Sequence, residues 1–152
     1  MQKILFVCLG NICRSPLAEG IMLQLNKKHN SGLIIDSAGT SHYHVGEEPN
    51  KQTIDNAKKH GIDLSCLRAR QFKVTDFDQF DKIYTMDKSN HRDVLALAKN
   101  DRQKNKVNLF LEAANSNSKN LEVPDPYNGT EKDFEDVFQL VYKACEELIK
   151  VF

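Results

Sequence analysis

The chain has 152 residues, 40% hydrophobic and 28% charged, with lysine plus arginine matching aspartate plus glutamate at 21 each. This length fits one domain, residues 1–152, with a sizeable core, and the composition is that of a soluble globular protein. The charge balance argues against nucleic acid or an anionic membrane as partner, and with no leader peptide and no 18-residue apolar run the expected location is cytoplasmic.

The apolar run Ile4-Leu5-Phe6-Val7 predicts a first strand over Lys3–Cys8. A loop follows, then a helix from Pro16 to about Lys28, with Ser15 as its expected N-cap and Pro16 in the first helical position. Leu33-Ile34-Ile35 reads as a short second strand that leads into Asp36-Ser37-Ala38-Gly39-Thr40. Ser41–Pro49 is a polar loop carrying His42, Tyr43 and His44. With no third ligand nearby, the two histidines are expected to be solvated loop residues and not a metal pair. Asn50–His60 reads as a helix ended by Gly61, Lys82–Met86 as a third strand, Ser89–Lys99 as a helix and Val107–Leu111 as a fourth strand. The segment Glu112–Glu131 is a long loop rich in Asn, Ser, Pro and Gly, and loops of that length in small domains are usually functional or disordered. From about Glu131 to the end, Phe134, Val137, Phe138, Val141, Tyr142, Cys145, Leu148 and Ile149 recur at helical spacing. Strands alternating with helices predict an α/β fold, a parallel sheet covered on both faces.

The chemistry concentrates in Val7-Cys8-Leu9-Gly10-Asn11-Ile12-Cys13-Arg14-Ser15-Pro16. A strand, a tight loop and a helix start turn backbone N–H groups and the positive helix end toward one point, which suits an anion. Those N–H groups and a guanidinium are the surroundings that favour a thiolate, the nucleophilic form of cysteine. Arg14 offers a planar fork for two phosphoryl oxygens, and Gly10 and Asn11 are residue types that tolerate positive φ. The loop from Cys8 through Ser15 is therefore read as a phosphoryl-transfer site needing neither metal nor cofactor. Ser15 can donate to the sulfur, and Asn11 is expected to brace the loop with Ser37 as its partner. Cys13 lies five positions from Cys8 on the same loop and is read as a partner that traps an oxidised sulfur as a disulfide. The four cysteines show neither zinc nor disulfide-framework spacing, and Cys66 and Cys145 are expected to be inert, buried thiols. A phosphate ester also needs a carboxylic acid for its leaving oxygen, and Asp125, stiffened between Pro124 and Pro126, is the candidate.

This ten-residue run closely resembles the signature of the low-molecular-weight protein tyrosine phosphatases. Asp36-Ser37, Val45-Gly46, Ala69-Arg70-Gln71, Met86-Asp87 with Ser89-Asn90, and Asp125-Pro126-Tyr127 are similar to further motifs of that family, in its order. The resemblance implies a three-layer sandwich with four parallel strands in the order 2-1-3-4. It implies hydrolysis of phosphotyrosine in proteins and of small aryl phosphates through a phospho-cysteine intermediate, with inorganic phosphate or similar oxyanions also bound. Cys8 would be the nucleophile, Arg14 the phosphate fork and Asp125 the general acid, which then activates water. Tyr127 and Tyr43 would wall the substrate ring, with Leu9 and Ile12 as apolar contacts at the mouth.

Two positions depart from the family pattern. Asn128 stands where many relatives carry a second aromatic after the tyrosine of the acid loop. Leu67 stands where a histidine often supports the asparagine of the phosphate loop, so Asn11 must rely on Ser37, on backbone or on water. Three rival readings differ in their needs. An arsenate reductase on this scaffold passes a disulfide between two further cysteines, but Cys66 and Cys145 lie 79 positions apart. The similar protein-arginine phosphatases tend to carry threonine in place of Ile12 and lack a bulky aromatic like Tyr43. A non-catalytic phosphate-binding module would not need Cys8, Arg14 and Asp125 together.

Overall fold

Strand β1 (Lys3–Cys8) lies inside a four-stranded parallel sheet ordered β2-β1-β3-β4, with β2 over Ile34–Gly39, β3 over Lys82–Thr85 and β4 over Val107–Leu109. This is the strand order that the resemblance implied. The computed structural model describes residues 1–118 and 120–152. Successive side chains of a strand point to opposite faces, and β1 divides accordingly. Ile4, Phe6 and Cys8 face one buried cluster, which they share with α1 (Arg14–His29), α6 (Phe110–Ala113) and α7 (Glu131–Ile149). Leu5 and Val7 face another, with Phe77 of α3 (Asp76–Gln79) and Val94 of α4 (Lys88–Leu97). Burial on both faces explains why β1 reads as an unbroken apolar run.

The remaining helices are α2 (Lys51–Lys59) and α5 (Asp101–Lys104). Asn50 caps α2 through its side chain, and Gly61 follows in the left-handed conformation, which ends the helix as expected. Thr130 and Asp133 form a reciprocal capping box at the start of α7, while Phe138, Val141, Cys145 and Leu148 fill the core.

Several elements differ from the sequence expectation. Strand β2 continues past Ile35 to Gly39, pairing Ser37 with Phe6 and Gly39 with Cys8. The expected strand ends at Ile35, before the polar Asp36 and Ser37, yet it runs on, with Ser37 buried and bonded. Strand β4 stops at Leu109 and the chain turns at once into α6, burying Phe110 and Leu111 in the core. Helix α4 begins at Lys88, after the Asp87 cap, and ends at Leu97. The short helices α3 and α5 are additional to the elements expected from the sequence. The expected loop after α6 is irregular where it is described; Lys119, within it, lies outside the described residues.

Helix α1 begins at Arg14, with Cys13 in the N-cap position and no side-chain cap. Ser15 is thus inside the first turn and does not cap the helix; its hydroxyl is committed to the site described below. Its first half is buried all round, Glu19 included, because the sheet, the 62–64 segment and α7 close over it. Gly20 is needed there, since a β-carbon would stand 2.2 Å from Leu64 Cδ2. Among the described residues no helix is long and apolar enough to cross a membrane.

The chain leaves β1 for β2 on one side and later returns to β3 on the other, so the carboxyl end of β1 is the point where strand order reverses. Ligands in open parallel sheets sit outside such a point.

Candidate active site

The loop Cys8–Ser15 leaves β1 at that point. Three of its carbonyls are held by neighbours: Thr40 N–H donates to Cys8 O at 2.9 Å, Ser41 N–H to Leu9 O at 2.9 Å, and Asn50 N–H to Ile12 O at 2.7 Å. With its carbonyls occupied, the loop keeps its N–H groups for another purpose. Asn11 N–H donates to Cys8 Sγ at 3.3 Å, while those of Leu9, Gly10, Ile12, Cys13 and Arg14 find no protein acceptor among the described residues. A curl of free N–H groups around a sulfur is an anion-binding concavity.

Asn11 takes the left-handed conformation, φ 58°, as its residue type allows. Gly10 does not; its value is space, because a β-carbon there would stand 3.1 Å from His44 Cδ2. Gly39 lets the loop pass over β2, since a β-carbon there would stand 2.7 Å from Leu9 O.

The Asn11 side chain braces the curl from below. Its Nδ2 donates to Ser15 Oγ at 2.8 Å and to Ser37 Oγ at 2.9 Å, and its Oδ1 accepts from Arg70 N–H at 3.0 Å. The expected partner Ser37 is joined by a backbone donor, and Leu67 packs beside the core without entering this network. Ser15 Oγ lies 3.0 Å from Cys8 Sγ.

Arg14 is 3% exposed, and its Nη1 donates to Asp87 Oδ2 at 2.7 Å and to Val123 O at 3.1 Å. Burial works against its charge, but the Cys8 sulfur, Asp87 and Asp125 outweigh it and hold the guanidinium above its ordinary value. Asp87 also caps α4 by accepting from Asn90 N–H. Val123 N–H donates to Met86 O at 2.8 Å, so Val123 is pinned on both its backbone groups. Two residues on, Asp125 Oδ2 stands 3.7 Å from Arg14 Nη2, while its Oδ1 accepts from Tyr127 N–H at 3.1 Å.

These residues enclose a cavity of about 180 Å³. Cys8, Ile12 and Arg14 are its buried lining, and Leu9, Tyr43, Tyr127 and Asp125 its exposed rim. Cys8 is 2% exposed whereas Tyr43 is 70% and Tyr127 45% exposed, so a deep sulfur lies below open aromatic walls. Among the described residues no cluster suited to a metal ion is found.

The structure brings together every residue that the sequence placed in the site. It also adds three and corrects two expectations. Asp87 steers Arg14, Glu19 accepts from Ser37 within the bracing network, and His44 lines the cavity. His44 is therefore not simply solvated: Glu47 holds its Nδ1 at 3.0 Å, and its ring lies 6.2 Å from that of Tyr127. Burial raises the Cys13 thiol to about 12. Cys145 is buried as expected, but Cys66 is exposed, because Leu64 and Leu67 turn inward on either side of it.

Residues 3–152 match the family model described as low molecular weight phosphotyrosine protein phosphatase. The chain belongs to that family. It is 41% identical over 152 residues to the low molecular weight phosphotyrosine protein phosphatase of Gallus gallus, covering 99% of this chain and 95% of that one. The crystal structure of a protein tyrosine phosphatase from Entamoeba histolytica superposes with a TM-score of 0.92 at 38% identity, covering 99% and 96% of the two chains. Wzb of Vibrio vulnificus, solved with benzylphosphonate, superposes with a TM-score of 0.87 at 26% identity, covering 99% of each chain. Membership makes this a cysteine-dependent phosphatase of the low molecular weight protein tyrosine phosphatase family.

If Asp87 sets the direction of the Arg14 fork, Asp87→Asn is expected to weaken phosphate or vanadate binding by about tenfold, or about 1.4 kcal/mol. Competitive inhibition against an aryl phosphate reads this; an unchanged inhibition constant contradicts the assignment.

Proposed function

We propose that the protein hydrolyses phosphotyrosine in proteins through a phosphocysteine intermediate, with Cys8 as nucleophile, Arg14 as phosphate fork and Asp125 as general acid and then base. The observation that carries this reading is the stack of Cys8, with Ser15 Oγ at 3.0 Å and Asn11 N–H at 3.3 Å, beneath Arg14 and the Asp125 carboxylate 3.7 Å from it. The benzylphosphonate bound by the Vibrio vulnificus relative has the shape of an aryl-capped phosphoryl group, and supports the same use of the cavity here.

In the first step Cys8 Sγ attacks phosphorus, the S–P bond forms and the P–O bond to the phenol breaks. Asp125 gives its proton to the departing oxygen. The loop N–H groups and Arg14 hold the three equatorial oxygens, where charge accumulates. In the second step Asp125, now a carboxylate, takes a proton from water as that water attacks phosphorus, and the S–P bond breaks. The Ser15 hydroxyl donates to the departing sulfur. The loop supplies its own positive field, so no step calls on a metal.

Selectivity follows from depth. A phosphoryl group must reach a sulfur 2% exposed, and a phenol ring is long enough to do so while lying between Tyr127 and Tyr43. Serine phosphate is too short to reach the floor. Leu9 and Ile12 add apolar contact at the mouth, and Ile12 in place of a hydroxyl residue leaves nothing there to recognise a guanidine. Cys13, on the same loop, would capture an oxidised Cys8 as a disulfide and spare it from irreversible oxidation. A reactive thiolate of this kind, in a chain with four free cysteines, suits a reducing compartment such as the cytoplasm.

Asp125→Ala is expected to slow phenyl phosphate by about 10²–10⁴-fold but p-nitrophenyl phosphate far less, since nitrophenolate departs without a proton. Equal losses on the two substrates overturn the acid assignment. In the parent protein, phosphotyrosine peptides are expected to turn over well ahead of phosphoserine and phosphoarginine peptides, with EDTA present. Preference for phosphoarginine overturns the substrate class.

The redox role of Cys13 has its own test. After brief peroxide treatment, dithiothreitol is expected to restore most of the starting activity of the parent and little of that of Cys13→Ser, each measured against its own untreated sample. Equal recovery contradicts the role.

A further inference from the structure

Asp125 reaches the site on a short, stiff strut. Val123 and Asp125 each precede a proline, which confines their backbones to extended conformations, and the rings of Pro124 and Pro126 fix φ between and after them. A segment of this kind does not bend; it swings from wherever it is anchored. One anchor is Val123 itself, whose N–H donates to Met86 O and whose carbonyl accepts from Arg14. Bonds at one residue set a pivot, and a second attachment is needed to set the direction.

That attachment lies one residue earlier. Glu122 Oε2 accepts from the backbone N–H of Lys88 at 2.9 Å. Lys88 is the first residue of α4, where the N–H has no acceptor within the helix and the helix dipole favours a carboxylate. Asp87, the cap of the same helix, accepts from Arg14 Nη1 at 2.7 Å. The first turn of α4 therefore meets the guanidinium through one carboxylate and the acid loop through another. The backbone before Glu122 is strained: Leu121 has φ 57°, in the left-handed region that a residue with a β-carbon avoids. Such strain persists only where the surroundings hold it. Here Asn120 Oδ1 accepts from Glu122 N–H at 3.2 Å across the bend, and the Glu122 carboxylate fastens its far side to α4.

We propose that Glu122 is a positioning residue for the general acid: its carboxylate, held on the Lys88 N–H, fixes the swing of the proline strut so that Asp125 faces the leaving oxygen above Cys8. This rests on Asp125 being the acid. Glu122 is not among the residues lining the cavity, so its effect passes through Asp125. Val123 keeps its own bonds when the clasp is lost, and with them the contact to Arg14; what suffers is proton delivery to the leaving group.

The test compares kcat/KM for phenyl phosphate, whose leaving oxygen needs a proton, with that for p-nitrophenyl phosphate, whose leaving oxygen does not. Glu122→Ala is expected to lower the first about tenfold and the second less than about twofold, because a misplaced acid forfeits part of its catalytic effect and not all of it. Lys88→Pro removes the N–H from the other side of the same bond. Proline suits the first position of a helix, and Asp87 before it is already extended with ψ 173°, so this variant is expected to fold and to show the same selective loss. In an Asp125→Ala background, adding Glu122→Ala is expected to change neither substrate further. Equal losses on the two substrates in Glu122→Ala, no selective loss in Lys88→Pro, or a further loss on phenyl phosphate in the double variant overturns the inference. Should Glu122→Ala fail to fold, Lys88→Pro decides alone. Failure of the acid reading looks different: Asp125→Ala itself then slows both substrates equally.

Discussion

The side-chain amide of Asn11 is the joint on which the site depends, because each of its three bonds fixes a different part of the molecule. Through Arg70 N–H it ties the loop to the segment after α2, through Ser37 to β2, and through Ser15 to the first turn of α1. The backbone of the same residue sits in the left-handed conformation that curls the loop, and its N–H meets the sulfur. A single buried amide thus holds together the strand, the helix and the nucleophile. Neutral hydrogen bonds contribute about 0.5–1.5 kcal/mol each, but leaving buried partners unpaired costs more. The loop is consequently set before any anion arrives, which is what electrostatic catalysis requires.

Charge is arranged around this joint in two layers. Above the sulfur, Arg14 is buried between Asp87 and Asp125, so its positive charge is balanced and its direction set. Val123 anchors the acid loop to that arginine and to Met86, which explains how a proline-flanked segment far along the chain reaches the floor of the site. Below the sulfur, Glu19 lies at the far end of a wholly hydrogen-bonded path. The upper layer faces substrate and the lower layer faces the core. A carboxylate in the core costs desolvation and persists only where neighbours bind it, so its burial is informative.

Much of this was legible in the sequence. Cys8 through Ser15 stood out because an apolar strand, turn-forming residues and a helix start surround one thiol and one guanidinium, and the pairing of Asn11 with Ser37 was within reach of the same reasoning. Asp125 came from its prolines and from family resemblance. Other features were hidden for physical reasons. Asp87 reads as an ordinary helix cap, which it also is, and nothing local announces its bond to Arg14, 73 positions away. Glu19 falls in the half of α1 that is buried on all sides, where no apolar stripe marks an inward face; its four-residue step from Ser15 is the available signal. Strand β2 was cut short because Asp36 and Ser37 are polar, and their partners lie elsewhere in the chain. Ser15 suits a cap by its local sequence, which cannot weigh a cap against a sulfur 3.0 Å away. Cys66 is flanked by apolar residues, but they turn inward and leave it exposed.

The central claim is that this preformed, positively polarised loop makes Cys8 a covalent phosphate carrier. Rapid quenching of the parent enzyme on a phosphotyrosine peptide, followed by mass mapping of the trapped protein, tests it most directly. The account predicts phosphate bound to Cys8 within the first turnover, formed together with a stoichiometric burst of dephosphorylated peptide. Phosphate on any other residue, or product release with Cys8 unmodified throughout the turnover, would contradict it.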